Sequence, residues 1–150
     1  MGTHNSLLHN CLYFTANKLA RVITRMAEEE FKITGLSPPH AFLMMTVHDH
    51  PGIGQKELCE QLHLAPSTVT RFIDSLEHKG FLIRKSEGKV SKIYSTVKGK
   101  LLQEPIDAAW KGLYHRYSKI LGSQDGESLT HLIDEAGQKL ENDREKMLFV

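Results

Sequence analysis

The sequence predicts a mainly α-helical fold carrying one small β-hairpin, and three observations predict it. Apolar residues recur at helical spacing over most of the 150 residues. Alternating β-branched and aromatic residues are confined to "FLIRKSEGKVSKIYSTV", residues 81–97. Proline and glycine fall where the helical periodicity stops. About six helices and a ribbon of two or three strands result. A hydrophobic content of 40% suffices for one core, so residues 1–150 are expected to form one domain.

The first helical pattern runs from Leu7 to about Phe31 through Leu8, Leu12, Leu19, Val22, Ile23 and Met26, and Gly35 breaks it. Ser37-Pro38 opens a second helix through Ala41, Phe42, Met45 and Val47, which stops before Pro51-Gly52. Ile53 can add a short strand contact. Gln55 to Leu62 is a short third helix with Leu58 and Leu62 on one face, and His63 to Ala65 turns the chain. Pro66 suits a first helical position, because its fixed φ matches a helix start and its missing N–H would find no partner there. Gly80 ends this fourth helix in the left-handed conformation, with Phe81 reaching back to Leu76. A hairpin then turns at Glu87-Gly88-Lys89. Beyond Lys98-Gly99 comes a long helix through Leu101, Ile106, Ala109, Leu113, Tyr117 and Ile120, expected to kink at Pro105. A turn at residues 122–126 leads to a last helix striped by Leu129, Leu132, Ile133, Ala136 and Leu140.

Net charge is only +1, yet the charge is unevenly placed. Residues 66–100 carry eight basic groups against three acidic ones, whereas residues 123–146 are acidic, which points to a polyanion contact made by one part of the chain. In the fourth helix Val69, Phe72, Ile73 and Leu76 must face the core, leaving Ser67, Thr68, Thr70, Arg71, Asp74 and Ser75 outside. First-turn N–H groups lack partners and carry the positive end of the helix dipole, so a phosphate is favoured there. Short hydroxyls allow close approach to base edges, and Arg71 can grip guanine with two hydrogen bonds. Two helices, a tight turn and a basic ribbon make a winged helix-turn-helix lobe over residues 36–99. The DNA-binding candidates are Pro66, Ser67, Thr68, Thr70 and Arg71 on the helix, with Arg84, Lys85, Lys89 and Lys92 on the wing.

The stretches "GLSPPHAFLMMTV", "QKELCEQLHLAPSTVTRFIDSLEHKGFLIRK" and "STVKG" resemble the MarR-type (multiple antibiotic resistance regulator) family of bacterial transcription regulators, over nearly the whole chain. The resemblance implies a homodimer, usually a repressor, that binds pseudo-palindromic double-stranded DNA and responds to a small ligand or an oxidant. Where that family's wing has an Asp-x-Arg pair, this chain has Glu87-Gly88-Lys89, and Ser95 replaces a usual leucine. The flanking segments 5–34 and 100–150 carry apolar stripes that require a partner, so the first helix and the last two, ending in Met147-Leu148-Phe149-Val150, are expected to dimerise.

Other candidates follow. A phenolic or aromatic effector would find Tyr13, His40, Trp110 and Tyr114 to line a cleft, although aromatics at helical spacing also serve as core. Cys11 occupies a place similar to that of the reactive thiol in the peroxide-sensing branch of the family, but the tyrosines which accompany that thiol are missing; a packing role for Cys11 and Cys59 is the alternative. Among nine histidines His48-Asp49-His50 is the densest cluster, with His115 as a conceivable addition, but no spacing dictates a metal site and no cofactor is implied. Neither cysteine stands near a glycine-rich oxyanion loop, so an enzyme is not expected. A winged helix used only to bind protein would need neither the basic helix end nor the basic hairpin. No apolar run reaches the ~18 residues of a membrane span and no secretory leader is apparent, so a cytoplasmic location is expected.

Overall fold

The computed structural model describes residues 3–149, with side chains from Ser6 onward; Val150 of the expected dimerising end, and Asn5's side chain at the start of the first flank, lie outside the described residues. The chain divides into two compact units, residues 1–110 and 111–150.

The first unit starts with α1 (Thr3–His9) and α2 (Leu12–Phe31). One continuous helix was the expectation; instead Cys11 adopts an extended backbone (φ −98°, ψ 120°) between two helices. His9, Asn10 and Cys11 are all weak helix formers, and in the first turn of α2 the Thr15 hydroxyl donates back to the Cys11 carbonyl at 3.0 Å. A short 3-10 turn, residues 32–34, ends at Gly35, whose φ of 70° stops the run. Then come α3 (Pro38–Asp49), β1 (Ile53–Gly54), α4 (Gln55–Leu62) and α5 (Pro66–His78). Ser37 is the residue before α3 but makes no side-chain cap bond.

Between α4 and α5 the chain turns through His63, the one non-glycine residue with positive φ (53°) among the described residues. The far end of α5 is closed by two backbone bonds, Gly80 N–H to the Glu77 carbonyl and Phe81 N–H to the Leu76 carbonyl, both 2.9 Å. Gly80 at φ 82° permits that pattern. The wing follows as β2 (Leu82–Glu87) and β3 (Val90–Ser95), with Gly88 at φ 66° opening the two-residue turn. Strand order is β1-β3-β2, all antiparallel, with Ile53 opposite Ile93 and Arg84 also opposite Ile93 on the other side.

The core of this unit joins Phe31 of α2, Leu43, Met44 and Val47 of α3, Leu58 of α4, Val69, Ile73 and Leu76 of α5, Leu82 and Ile93 of the wing, and Ile106 and Ala109 of the next long helix; all are almost wholly buried. Phe72, expected in the core, is only half-buried at its edge, where its ring meets His40 edge-on at 4.5 Å.

After the wing a short α6 (Val97–Lys100), capped by the Thr96 hydroxyl accepting from Gly99 N–H at 3.0 Å, precedes α7 (Gln103–Leu121). Pro105 therefore does not kink a long helix. It is the third residue of α7, where backbone N–H groups have no helical partner to lose. The predicted turn at residues 122–126 shrinks to Gly122 (φ 91°), and α8 (Ser123–Leu148) begins at once, with Gly126 buried inside it against Tyr117 and Ser118. In the second unit Tyr114 and Tyr117 pack edge-to-face at 5.5 Å, and the Tyr114 hydroxyl donates to Glu127 at 2.9 Å. No helix among the described residues is long and apolar enough to cross a membrane.

Candidate nucleic-acid interface

The α5 end behaves largely as its sequence suggests. Ala65 is extended (φ −64°, ψ 146°) and Pro66 is the first helical residue, so the following N–H groups point outward from the start of the helix. Pro66, Ser67 and Arg71 are exposed and Thr68 is half-buried. Arg71 forms no ion pair among the described residues, leaving its guanidinium available.

Thr70 differs. Its hydroxyl accepts from Gln55 Nε2 at 2.6 Å and donates to the Pro66 carbonyl at 2.9 Å. It thereby ties the start of α4 to the start of α5 and has little capacity left for an outside partner. Sequence reasoning missed Gln55, whose only signal was its place at the first turn of the preceding helix.

The wing cations also separate into two kinds. Arg84 is turned back onto α5: its guanidinium meets the Asp74 carboxylate and lies 3.8 Å from Glu77, while its backbone N–H donates to Glu77 at 3.2 Å. Its Nε is buried with no hydrogen-bond partner among the described residues. Arg84 is thus a strap between wing and helix. Lys92 pairs across the hairpin with Glu87 at 2.8 Å, and that hydrogen bond, with the attached charge, pushes the ammonium pKa up. Lys85 stands 5.1 Å from the Tyr94 ring centre and stays exposed. Lys89, at the tip, is exposed and makes no ion pair among the described residues.

The root of the wing is tightly built. His48 Nε2 lies 3.1 Å from the Gly99 carbonyl and 3.3 Å from Ser95 Oγ. A Cβ on Gly99 would collide with the Phe81 carbonyl and come within 3.1 Å of Met44 Cε. The serine that replaces a leucine of the resembled family thus has a partner in this chain, and His48 is engaged in packing α3 to the wing. Lys98 closes the same region, donating to the Lys79 carbonyl at 2.8 Å with its ammonium over the Phe81 ring. Among the described residues no three His, Cys, Asp or Glu side chains gather in a way that could hold a metal ion.

The effector candidates are dispersed. A cleft of about 440 Å³ in the first unit is lined by Pro39, Phe42, Met45, Thr46 and Asp49 of α3, by Gln61, Leu62 and Leu64, and by Trp110 of α7. Of the four expected residues only Trp110 lines it. Tyr13 is 79% exposed on α2. His40 packs on Phe72, where burial, and secondarily the Lys79 charge, lower its pKa. Tyr114 belongs to the second unit, its hydroxyl bonded to Glu127, which raises its pKa. Cys59 is buried, and burial pushes its thiol pKa up, as suits a packing residue; Cys11 is exposed.

These features define a winged helix-turn-helix protein whose recognition helix and wing share one exposed polar and cationic surface. Residues 36–87 match the profile of the MarR family. The chain is 24% identical over 121 residues to the HTH-type transcriptional repressor MdtR of Bacillus subtilis (strain 168), covering 79% of this chain and 78% of MdtR. Among solved structures, the transcriptional repressor CouR bound to p-coumaroyl-CoA superposes with a TM-score of 0.80 at 16% identity, over 87% of this chain and 94% of that one. The M. tuberculosis regulator MosR in complex with DNA gives 0.79 at 18% identity, over 90% and 99%. The winged helix-turn-helix segment, residues 36–87, is thus similar to the MarR family.

Proposed function

We propose that this chain is a cytoplasmic, sequence-specific DNA-binding transcription regulator, acting as a homodimeric repressor on pseudo-palindromic duplex DNA and released by a small aromatic effector. The observation that carries the reading is the exposed amino end of α5, where Ser67, Thr68 and Arg71 stand around helix N–H groups beside a wing presenting Lys85 and Lys89. In this reading Arg71 reads a guanine edge, Ser67 and Thr68 contact bases or phosphates beside it, and Lys85 and Lys89 neutralise backbone phosphates. Pro66 sets the helix start. Thr70, Arg84 and Lys92, already bonded within the protein, hold α4, α5 and the wing in one orientation.

Dimerisation is supported by Leu7, Leu8 and Leu12 on α1 and α2, and by Leu132, Ile133, Leu140 and Met147 on α8, all exposed in the single chain. So much apolar surface on helices is characteristic of an interface between copies. The structures of CouR with a 23-mer DNA duplex and MosR with DNA, proteins of this fold, support the nucleic-acid assignment. MdtR, named a repressor, supports the sign of regulation.

A salt titration tests the reading. Neutralising several phosphates releases counterions, so affinity for a duplex should fall steeply and log-linearly, by roughly 100-fold or more between 50 and 200 mM salt for about four to six contacts. Affinity independent of salt, or none at low ionic strength, would leave a protein-interaction role for the winged helix.

A further inference from the structure

Resting on the reading of this chain as an effector-responsive regulator, we propose that the cleft between α3 and Trp110 takes a lipophilic cation: a small molecule with an aromatic or aliphatic body and a positively charged nitrogen. The lining is chiefly apolar, with Pro39, Phe42, Met45 and Leu62 supplying walls for such a body. At about 440 Å³ the cleft falls in the size range of small-molecule sites. Its charge decides the class of ligand. Among the described residues Asp49 is the only ionisable one lining it, and no lysine, arginine or histidine does. An anionic ligand would meet a carboxylate and no counter-charge.

Two further features draw a cation to the same end. Asp49 is the last residue of α3, so its carboxylate adds to the partial negative charge of the helix carboxyl end instead of neutralising it. Trp110 contributes the aromatic face that attracts cations most strongly, and it is part-exposed in the cleft. The cleft is also joined to the DNA-binding parts. Leu64 lies in the turn leading into α5, and α3 carries both the lining residues and His48 at the wing root. A molecule wedged against α3 and Leu64 therefore presses on the elements that set the angle of α5 and the wing.

Trp110 is the chain's single tryptophan, so its fluorescence reports on the cleft directly. The probes are 4-phenylbutylammonium and 4-phenylbutyrate, which share a body and differ in head charge, titrated into the full-length protein at low ionic strength. The ammonium should bind roughly tenfold or more tightly than the carboxylate. Asp49→Asn should abolish that preference without lowering the melting temperature, and Asp49→Glu should retain it. Equal or tighter binding of the carboxylate, a preference that survives Asp49→Asn, or no response of Trp110 to either probe at millimolar concentration would overturn the proposal. DNA binding is measured on the same preparations. A protein that binds DNA but shows no cation preference refutes this inference alone, and one that binds no DNA refutes the regulator reading on which it rests.

Discussion

Arg71 and Arg84 are both arginines of the basic middle segment, but their surroundings give them different work. Arg71 stands exposed on the outer face of α5 with no ion pair among the described residues, while Arg84 is held by Asp74 and Glu77. Arg71→Ala is expected to lose roughly 1–3 kcal/mol of discrimination at one base position in each half-site, measured as the ratio of operator to random-duplex affinity. Lys89→Ala should weaken every duplex alike and reduce the salt slope by about one. Equal losses on all DNA for Arg71→Ala would remove its base-reading role. His40 makes a second residue-scale prediction. Its folded pKa lies below the ordinary 6.5, chiefly through burial, so the folded state favours the neutral ring. The stability this confers is present above pH 6.5 and is lost as pH falls through the lowered value. Melting temperature should drop on acidification below about 6.5, and His40→Phe should flatten that part of the profile. An unchanged profile would remove His40 as the source.

At the scale of elements, the helix-turn-helix was legible because local chemistry dictates it. Pro66 can start a helix but not continue one, Gly80 accommodates the left-handed stop, and the apolar spacing from Val69 to Leu76 leaves one face to bury. Other boundaries were not legible. The helical spacing of apolar residues continues across Asn10 and Cys11, so the break there follows local helix propensity, which periodicity does not register. Gly126 resembles a turn residue in sequence but lies buried inside α8 beside Tyr117 and Ser118.

The site shows the same division. On the start of α5, Pro66, Ser67 and Arg71 stay exposed as their spacing suggests, whereas the Thr70 hydroxyl is taken by Gln55 and the Pro66 carbonyl. Arg84 and Lys92 looked equally free, since their acidic partners come from another element or from across the hairpin, and only the folded register brings them together. The cleft was hidden because Phe42 and Met45 read simply as core positions of α3, and Asp49 drew notice only for its place between His48 and His50. For the strap between wing and helix, Arg84→Met should cost about 1 kcal/mol or less of stability, because Asp74 and Glu77 are more than a third exposed. It should weaken binding to all duplexes with base preference retained. An altered base preference in binding assays would instead make Arg84 a direct reader.

The whole molecule combines a cationic lobe with helices whose apolar faces are incomplete in one chain. Phe149 is 90% exposed and Leu132 64%, both on the acidic carboxyl-terminal segment. Covering those faces with a second copy would pair the lobes by a two-fold axis, and two recognition helices so related meet the major groove about one turn, roughly 10 base pairs, apart. The measurement that tests this most directly is selection of bound duplexes from a random pool by the purified protein. The account predicts an enriched inverted repeat with half-site centres about one helical turn apart, bound by two chains. Enrichment of a single unrepeated half-site, or of no sequence at all, would contradict it.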